Sequence, residues 1–383
     1  MDGSDGLSIE AVGALAEIDK AQWDACANPP GAAYDPFLSW DFLQALEETG
    51  CVAPRTGWTP AHLIAREGGR LIGVAPLYAK THSRGEYVFD HAWADAFYRA
   101  GGAYYPKLQA CVPFTPVPGR RLLTQSPRAA EALALGAEQL MTESGSSSVH
   151  VTFALKDECD RLERLGYLTR VGLQYHWYNE GYGSFDDFLA TLSSNKRKNI
   201  RKERARAVDG VTIKRLRGDD IKAQHWDTFF RCYIDTGSRK WGSPYLNRDA
   251  FALLGERMAD QIVLYIAEED GRPIASALNF LGGEALYGRY WGRVADREFL
   301  HFELCYYQAI DTAIELGLPR VEAGAQGEHK LARGYRPSFT YSAHLIAHQG
   351  LRDAVKRYLE METPAMTDER DILDAHTPFK KSD

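Results

Sequence analysis

The chain has 383 residues, of which 45% are apolar and 25% charged, and its formal net charge is −7. That length suits two domains or three, and the composition excludes a disordered or collagen-like chain. The acidic balance argues against general nucleic-acid binding, and with no apolar run of about 18 residues a transmembrane helix is not expected.

The N-terminal stretch from Met1 to Glu10 carries acids and no basic segment ahead of an apolar run. The expectation is no secretory signal and a cytoplasmic protein. Six cysteines, at 26, 51, 111, 159, 232 and 305, form no C-x-x-C pair, and the 11 histidines include no H-E-x-x-H. Neither a disulfide framework nor a metal site is expected. G-x-S-x-G and Walker A motifs are absent, as is G-x-G-x-x-G in a strand–helix context.

The first clear pattern is a repeat. Leu63 to Tyr78 aligns without gaps on Tyr265 to Phe280, 202 residues later, with seven identities in sixteen positions. Each copy reads as a strand, a polar glycine turn (Glu67-Gly68-Gly69, Glu269-Asp270-Gly271) and a second strand. The echo continues from 85–93 to 283–291, where Gly85, Glu86 and Trp93 match Gly283, Glu284 and Trp291. The pattern predicts a three-stranded antiparallel meander in each half, and a gene duplication. In the first copy His91 has Asp90 next to it and Asp95 four residues on. An acid beside a histidine raises its pKa and fixes its tautomer, which suits a general base; the bland alternative is a structural histidine. Its counterpart in the second copy is Arg289, so one half is expected to catalyse or hold acceptor and the other to grip donor.

Tyr104 to Lys107 and Val112 to Gly119 are aromatic and rich in proline, read as the lining of an apolar groove or as a surface crossing. Glu143 to Val149 suits a turn or short linker, and Val151 to Asn179 is expected to pass from one half to the other. Lys196 to Arg206 holds seven bases and one acid, +6 against −13 for the remainder. On a helix these bases cover most of the circumference. They suit an anionic partner, whether coenzyme phosphates, a tRNA or acidic lipid headgroups, or else a solvated helix. Asp235-Thr236-Gly237-Ser238 matches the aspartic-protease tetrapeptide, but it occurs once and follows a helix-like segment, so it is rejected.

His301 to Gly317 has apolar residues spaced for a helix with one buried face, ending at Gly317. His301 and Glu303 stand at its start, either as caps or beside an anion site. A short strand follows at 320–323, and then Gly324-Ala325-Gln326-Gly327-Glu328-His329-Lys330, with Arg333 and Tyr335 close behind. Glycines admit close approach of a ligand, and glutamate, histidine and lysine supply a base, a proton carrier and a charge clamp. The fold class read from these elements is α+β, each half a mostly antiparallel sheet flanked by helices. The expected boundaries are 1–160, 161–362 and a polar, poorly ordered tail over 363–383.

A duplicated meander followed by a long helix resembles a tandem of GNAT-type acetyltransferase domains. Several stretches resemble, more narrowly, a bacterial family of N-acyltransferases related to the Fem-type peptidyltransferases. In the first half they are Pro36-Phe37-Leu38-Ser39, Pro54 to Trp58, Gly85 to Asp90 and Tyr105-Pro106-Lys107-Leu108; in the second, Lys196 to Glu203, His301 to Tyr307 and Gly324 to Lys330. The resemblance covers about residues 30 to 350. It implies two GNAT-like domains and transfer of an acyl group to an amine. Some members of the family resemble bacterial ceramide synthases, which acylate a sphingoid amine from acyl-CoA, whereas Fem-type relatives use aminoacyl-tRNA. One departure is that Gly292 to Leu300 lacks the glycine-rich pyrophosphate loop of ordinary GNATs.

The resulting expectation is acyl-CoA as co-substrate, no bound cofactor, and a small or lipid amine as acceptor, with peripheral contact to the inner face of the membrane. With no long heptad stretch to act as a tRNA-binding arm, tRNA is the less expected partner. Expected bases are His91 with Asp95, or Glu328 with His329. Tyr306 or Tyr290 would protonate the leaving thiolate, and Arg289, Lys330, Arg333, Gln326, Lys196 and Arg197 would hold the donor. The competing classes are tRNA-dependent aminoacyl transfer to a peptidoglycan precursor and a non-catalytic binding module.

Overall fold

The computed structural model describes residues 6–240, 244–324 and 327–380. The chain forms two compact units, one of residues 1–172 with 339–368, the other of 173–338 with 369–383. Both are thus discontinuous, which corrects the boundaries expected from sequence. Residues 339–362 join the first unit because the strand Arg336–Ile346 pairs there with Ser148–Ala154, placing His344 opposite His150. The expected tail is instead mostly helix, the end of Gln349–Ala375. Leu351, Val355 and Leu359, spaced four apart, anchor this helix against Trp93 and Tyr104.

The repeated hairpins superimpose in register. Leu63 faces Ala75 as Tyr265 faces Ala277, and the pairing shifts at the same place in both, between Ala65 and Arg66 and between Ala267 and Glu268. Both turns have two residues in the left-handed region, Gly68-Gly69 and Asp270-Gly271. Such turns match the right-handed twist of the flanking strands. The third expected strand forms only in the second unit, as Ala285–Arg293 against Arg272–Leu281. In the first, residues 85–90 are a loop and the helix His91–Arg99 follows. Lys107 is the physical reason: its buried ammonium draws Glu86 and Asp90 inward at 2.6 and 2.5 Å. The strand Leu77–Lys80 then pairs with Lys107–Ala110 instead.

In the second unit the strands run in the order Val211–Arg217, Ile262–Glu269, Arg272–Leu281, Ala285–Arg293, Arg320–Glu322, Leu168–Tyr178. All neighbours are antiparallel except Ala285–Arg293 with Arg320–Glu322. A parallel pair needs a crossover, and the helix spanning residues 300–315 supplies it, burying Leu304, Ala309, Ile310 and Ala313. Its second turn, Glu303–Tyr307, is π-helical, and Gly317 ends it at φ 64°. The helix Ala223–Lys240 crosses the sheet at Gly292, where a Cβ would lie 2.1 Å from the Cys232 carbonyl oxygen. Asp235 to Ser238 lies inside this helix. Among the described residues no helix is long and apolar enough to cross a membrane.

Candidate functional site

The parallel pairing lasts three residues, Ala285–Tyr287 against Arg320–Glu322. Beyond it the two chains part, and the gap opens into a cavity of about 360 Å³. Strand residues Ala277, Asn279, Arg289 and Trp291 line one side; His301, Cys305 and Tyr306 from the π-helical stretch, with Ala323, Gly324 and His329, line the other. Leu278 pairs with Tyr290 and Asn279 with Gly288, so Arg289 is the extra residue of a β-bulge. A bulge re-aims a side chain out of the regular alternation.

Tyr306 and His329 meet in this cavity. The tyrosine hydroxyl and His329 Nε2 share a hydrogen bond at 2.7 Å. His329 is exposed, whereas Tyr306 is buried. Burial, helped by the neighbouring Cys305, holds the Tyr306 hydroxyl well above its ordinary pKa, so it stays protonated. Lys330 is 1% exposed. Its ammonium donates to the Gly324 carbonyl at 2.8 Å. Burial lowers its pKa to about 7, Cys305 opposing and Arg289 adding to the shift. It is therefore an amine near neutrality beside the cavity rather than a solvent-facing charge clamp. Arg333 is likewise committed: it bonds Glu203 at 2.9 and 3.0 Å and the His329 carbonyl at 2.7 Å, with its guanidinium 3.4 Å from the Phe302 ring centre. It braces the turn Glu328–Arg333 that carries His329. Gln326 and the Glu328 side chain lie outside the described residues.

The basic run folds as the helix Ser194–Ala207, with Ile200 and Ala207 buried. It is less uniformly cationic at its surface than its composition suggests. Arg204 turns inward to Glu303 at 2.9 Å and Asp311 at 2.6 Å, and Glu203 accepts from Tyr307 and Arg333. Arg201 and Arg206 pair with Asp186 and Glu298. Lys196 and Arg197, both half-buried, and exposed Lys198 and Lys202 make no ion pair among the described residues.

In the first unit, His91 and Asp95 are exposed on the helix His91–Arg99. The buried acid there is Asp90, which accepts from Lys107 and, at 2.7 Å, from Tyr104. Burial works to raise its pKa, but Lys107, with His150 and Ser83, holds it below the usual carboxylate value. Lys80 sits 3.2 Å over the Trp58 ring and 3.5 Å from Glu86, and burial lowers its pKa to about 7. His150 and His344 meet at 2.7 Å between their Nδ1 atoms. Tyr104, Lys107 and Val112 to Val117 are buried, so these segments form core and not an open groove. Sequence reasoning misses this network, whose partners lie 6 to 194 residues apart. It also misses Cys305, although the thiol lies within the family-like stretch His301 to Tyr307. Among the described residues no three of His, Cys, Asp and Glu gather as a metal site would need.

Similar folds occur among solved structures. FemX aligns at 13% identity with a TM-score of 0.57, over 88% of this chain and 98% of its own. A tandem GNAT protein from the clavulanic acid biosynthesis pathway aligns at 12% and 0.50, over 90% and 99%. L-PGS from Bacillus licheniformis aligns at 10% and 0.51, over 86% and 98%. Identities this low speak to the fold, which is the tandem GNAT-like α+β architecture that the resemblance implied. No curated protein matches the sequence. The FemAB-like family, described by peptidoglycan biosynthesis and recognition, matches residues 14–381, and the chain belongs to that family.

Proposed function

We propose that the protein is an N-acyltransferase whose reacting centre is the cavity of the second unit, where it forms an amide between an activated acyl donor and a primary amine. The observation that carries this reading is the Tyr306–His329 hydrogen bond in a cavity opened by parting strands. Amide formation needs an amine stripped of its proton, a stabilised oxyanion and a protonated leaving group. His329 accepts the proton of the amine. Tyr306, kept neutral, gives its proton to the leaving thiolate and recovers one through His329. Backbone N–H groups freed where the strands part are suited to the oxyanion. Arg289 on its bulge grips the donor, and Lys196 and Arg197 add attraction for its phosphates.

The donor we favour is a long-chain acyl-CoA and the acceptor a sphingoid-type amine, with the protein cytoplasmic and working at the inner face of the membrane. A second reading, aminoacyl transfer from tRNA to a peptidoglycan precursor, is favoured by the family description and by the fold shared with FemX. Thiol release from palmitoyl-CoA and acetyl-CoA, measured with an amine panel that includes sphinganine and with products weighed, tests the first. An amide product establishes it. Silence across the panel, with tRNA binding that falls steeply with salt, moves the assignment to the second.

A further inference from the structure

Asn279, on the strand Arg272–Leu281, lines the cavity and is otherwise enclosed, with 1% of its surface exposed. The fold itself does not require a polar group there. In the ungapped alignment of the two hairpins Asn279 falls on Leu77, which is also 1% exposed and packs in the apolar core of the first unit. The two positions share their pairing: Asn279 faces Val263, and 202 residues earlier the Leu77 carbonyl accepts from the Ala61 N–H at 2.9 Å. A buried amide in place of a leucine costs desolvation unless a partner satisfies it. Asn279 Nδ2 donates to the Val263 carbonyl at 3.4 Å, a long contact. A carbonyl only accepts, so the nitrogen end of the amide faces Val263 and the oxygen end faces away. That oxygen lies against Gly288, the cross-strand partner on the cavity wall, where a Cβ would stand 3.3 Å from it. Glycine at 288 leaves the oxygen uncovered on that side.

We propose that Asn279 selects a primary amine as acceptor: its Oδ1 accepts one N–H of the attacking nitrogen and turns the lone pair toward the acyl carbon of the donor. This rests on the acyl-transfer reading above. A neutral primary amine has two N–H groups and one lone pair. One N–H goes to Asn279 Oδ1, the other to His329, and the lone pair forms the new bond to the acyl carbon. As the tetrahedral centre forms, the second proton passes to His329. When it collapses, the bond from the acyl carbon to the coenzyme sulfur breaks, and the sulfur takes the Tyr306 proton, which His329 replaces. The products are a secondary amide, its one N–H still on Asn279, and a free thiol, and no further reactant is needed. A secondary amine has a single N–H, which His329 requires, so none is left for Asn279. A site built to hydrogen-bond an N–H rejects an analogue without it, because the buried acceptor is then left unpaired. The leucine at the matching place in the first unit offers no such acceptor.

The test compares the full chain with its Asn279→Leu variant, which carries at this position the side chain that the first unit already accommodates. Each is given palmitoyl-CoA with sphinganine or with N-methylsphinganine, and the amide products are weighed. The wild type should prefer sphinganine by about 10–100-fold in kcat/KM. Asn279→Leu should lose about that factor on sphinganine and change little on the N-methyl amine, bringing the ratio near one, with unchanged circular dichroism. A packing role alone would slow both amines together and keep the ratio, which overturns the proposal. If Asn279→Leu does not fold, Asn279→Ala is read in the same way. If neither folds, the wild-type ratio decides, a value of about 10 or more supporting the proposal. Amide formation with a wild-type ratio near one overturns the role of Asn279 and leaves the acyl-transfer reading standing. No amide of either amine from palmitoyl-CoA or acetyl-CoA overturns both.

Discussion

The two hairpins that repeat share a register and a bulge position, yet the chain continues from them in different ways. After Phe280 the second unit lays down a third strand, and beyond the short parallel pairing the chain parts to leave a cavity. After Tyr78 the first unit folds residues 85–90 over Lys107 and joins Lys80, Glu86, Asp90, Tyr104 and His150 in a buried network. One frame thus carries an open site and a closed ionic core. A buried ion network costs desolvation that an apolar core avoids, and it is strongly destabilised by loss of one partner. Titratable density alone therefore does not mark the reacting half, because both halves are dense; the second joins Tyr306 and His329 to a cavity.

Variants in each half separate these two roles. The largest effect is expected at the open site: His329→Ala should lower kcat by 10²–10⁴-fold, in the range of a general base, while leaving the thermal midpoint nearly unchanged. Next, Lys107→Met should leave buried Asp90 without its lysine and Glu86 with Lys80 alone at 3.5 Å, and cost about 3–5 kcal/mol of stability, read by urea unfolding. If Lys107→Met kept its stability and lost only activity, the closed half would be the reacting one. Gly292→Ala presses a methyl group against the backbone at Cys232. It should cost about 1–3 kcal/mol, visible as a lower thermal midpoint.

A smaller effect is expected from one lysine in each half. Lys330 and Lys80 are both held near pKa 7 in the folded chain against 10.5 for an ordinary lysine. Between those values the unfolded chain binds protons that the folded chain does not, so stability rises with pH from about 7 to 10.5. Lys330→Met should flatten about half of that rise and leave the Lys80 half in place, as measured by urea midpoints across that range. Smallest of all, Lys196→Ala with Arg197→Ala should raise KM for a phosphate-bearing donor a few-fold, and the difference should fade as salt rises.

Much of the frame is legible in the sequence because its signals are local. The Asp270-Gly271 turn, the apolar spacing of 301–317 and the basic stretch 196–206 each declare an element within about 20 residues. The features that escape such reading depend on distant partners. His91 stands out in sequence as a histidine between acids, but the acid that matters is Asp90, fixed by Lys107. Lys330 and Arg333 read as phosphate clamps by residue type. Burial makes the first an amine near neutrality, and Glu203 commits the second to bracing a turn. The domain boundaries fail for the same reason, since nothing near residue 344 announces that it pairs with residue 150.

That pairing has a consequence for biogenesis. The strand holding His150 emerges from the ribosome 194 residues ahead of His344. At about 5–20 residues per second the delay is roughly 10–40 s. During it the edge of Ser148–Ala154 lacks its neighbour and is open to wrong partners. A nascent chain ending near residue 172 should therefore depend on chaperones, and expressing either sequence half alone should give aggregate where the whole chain gives soluble protein.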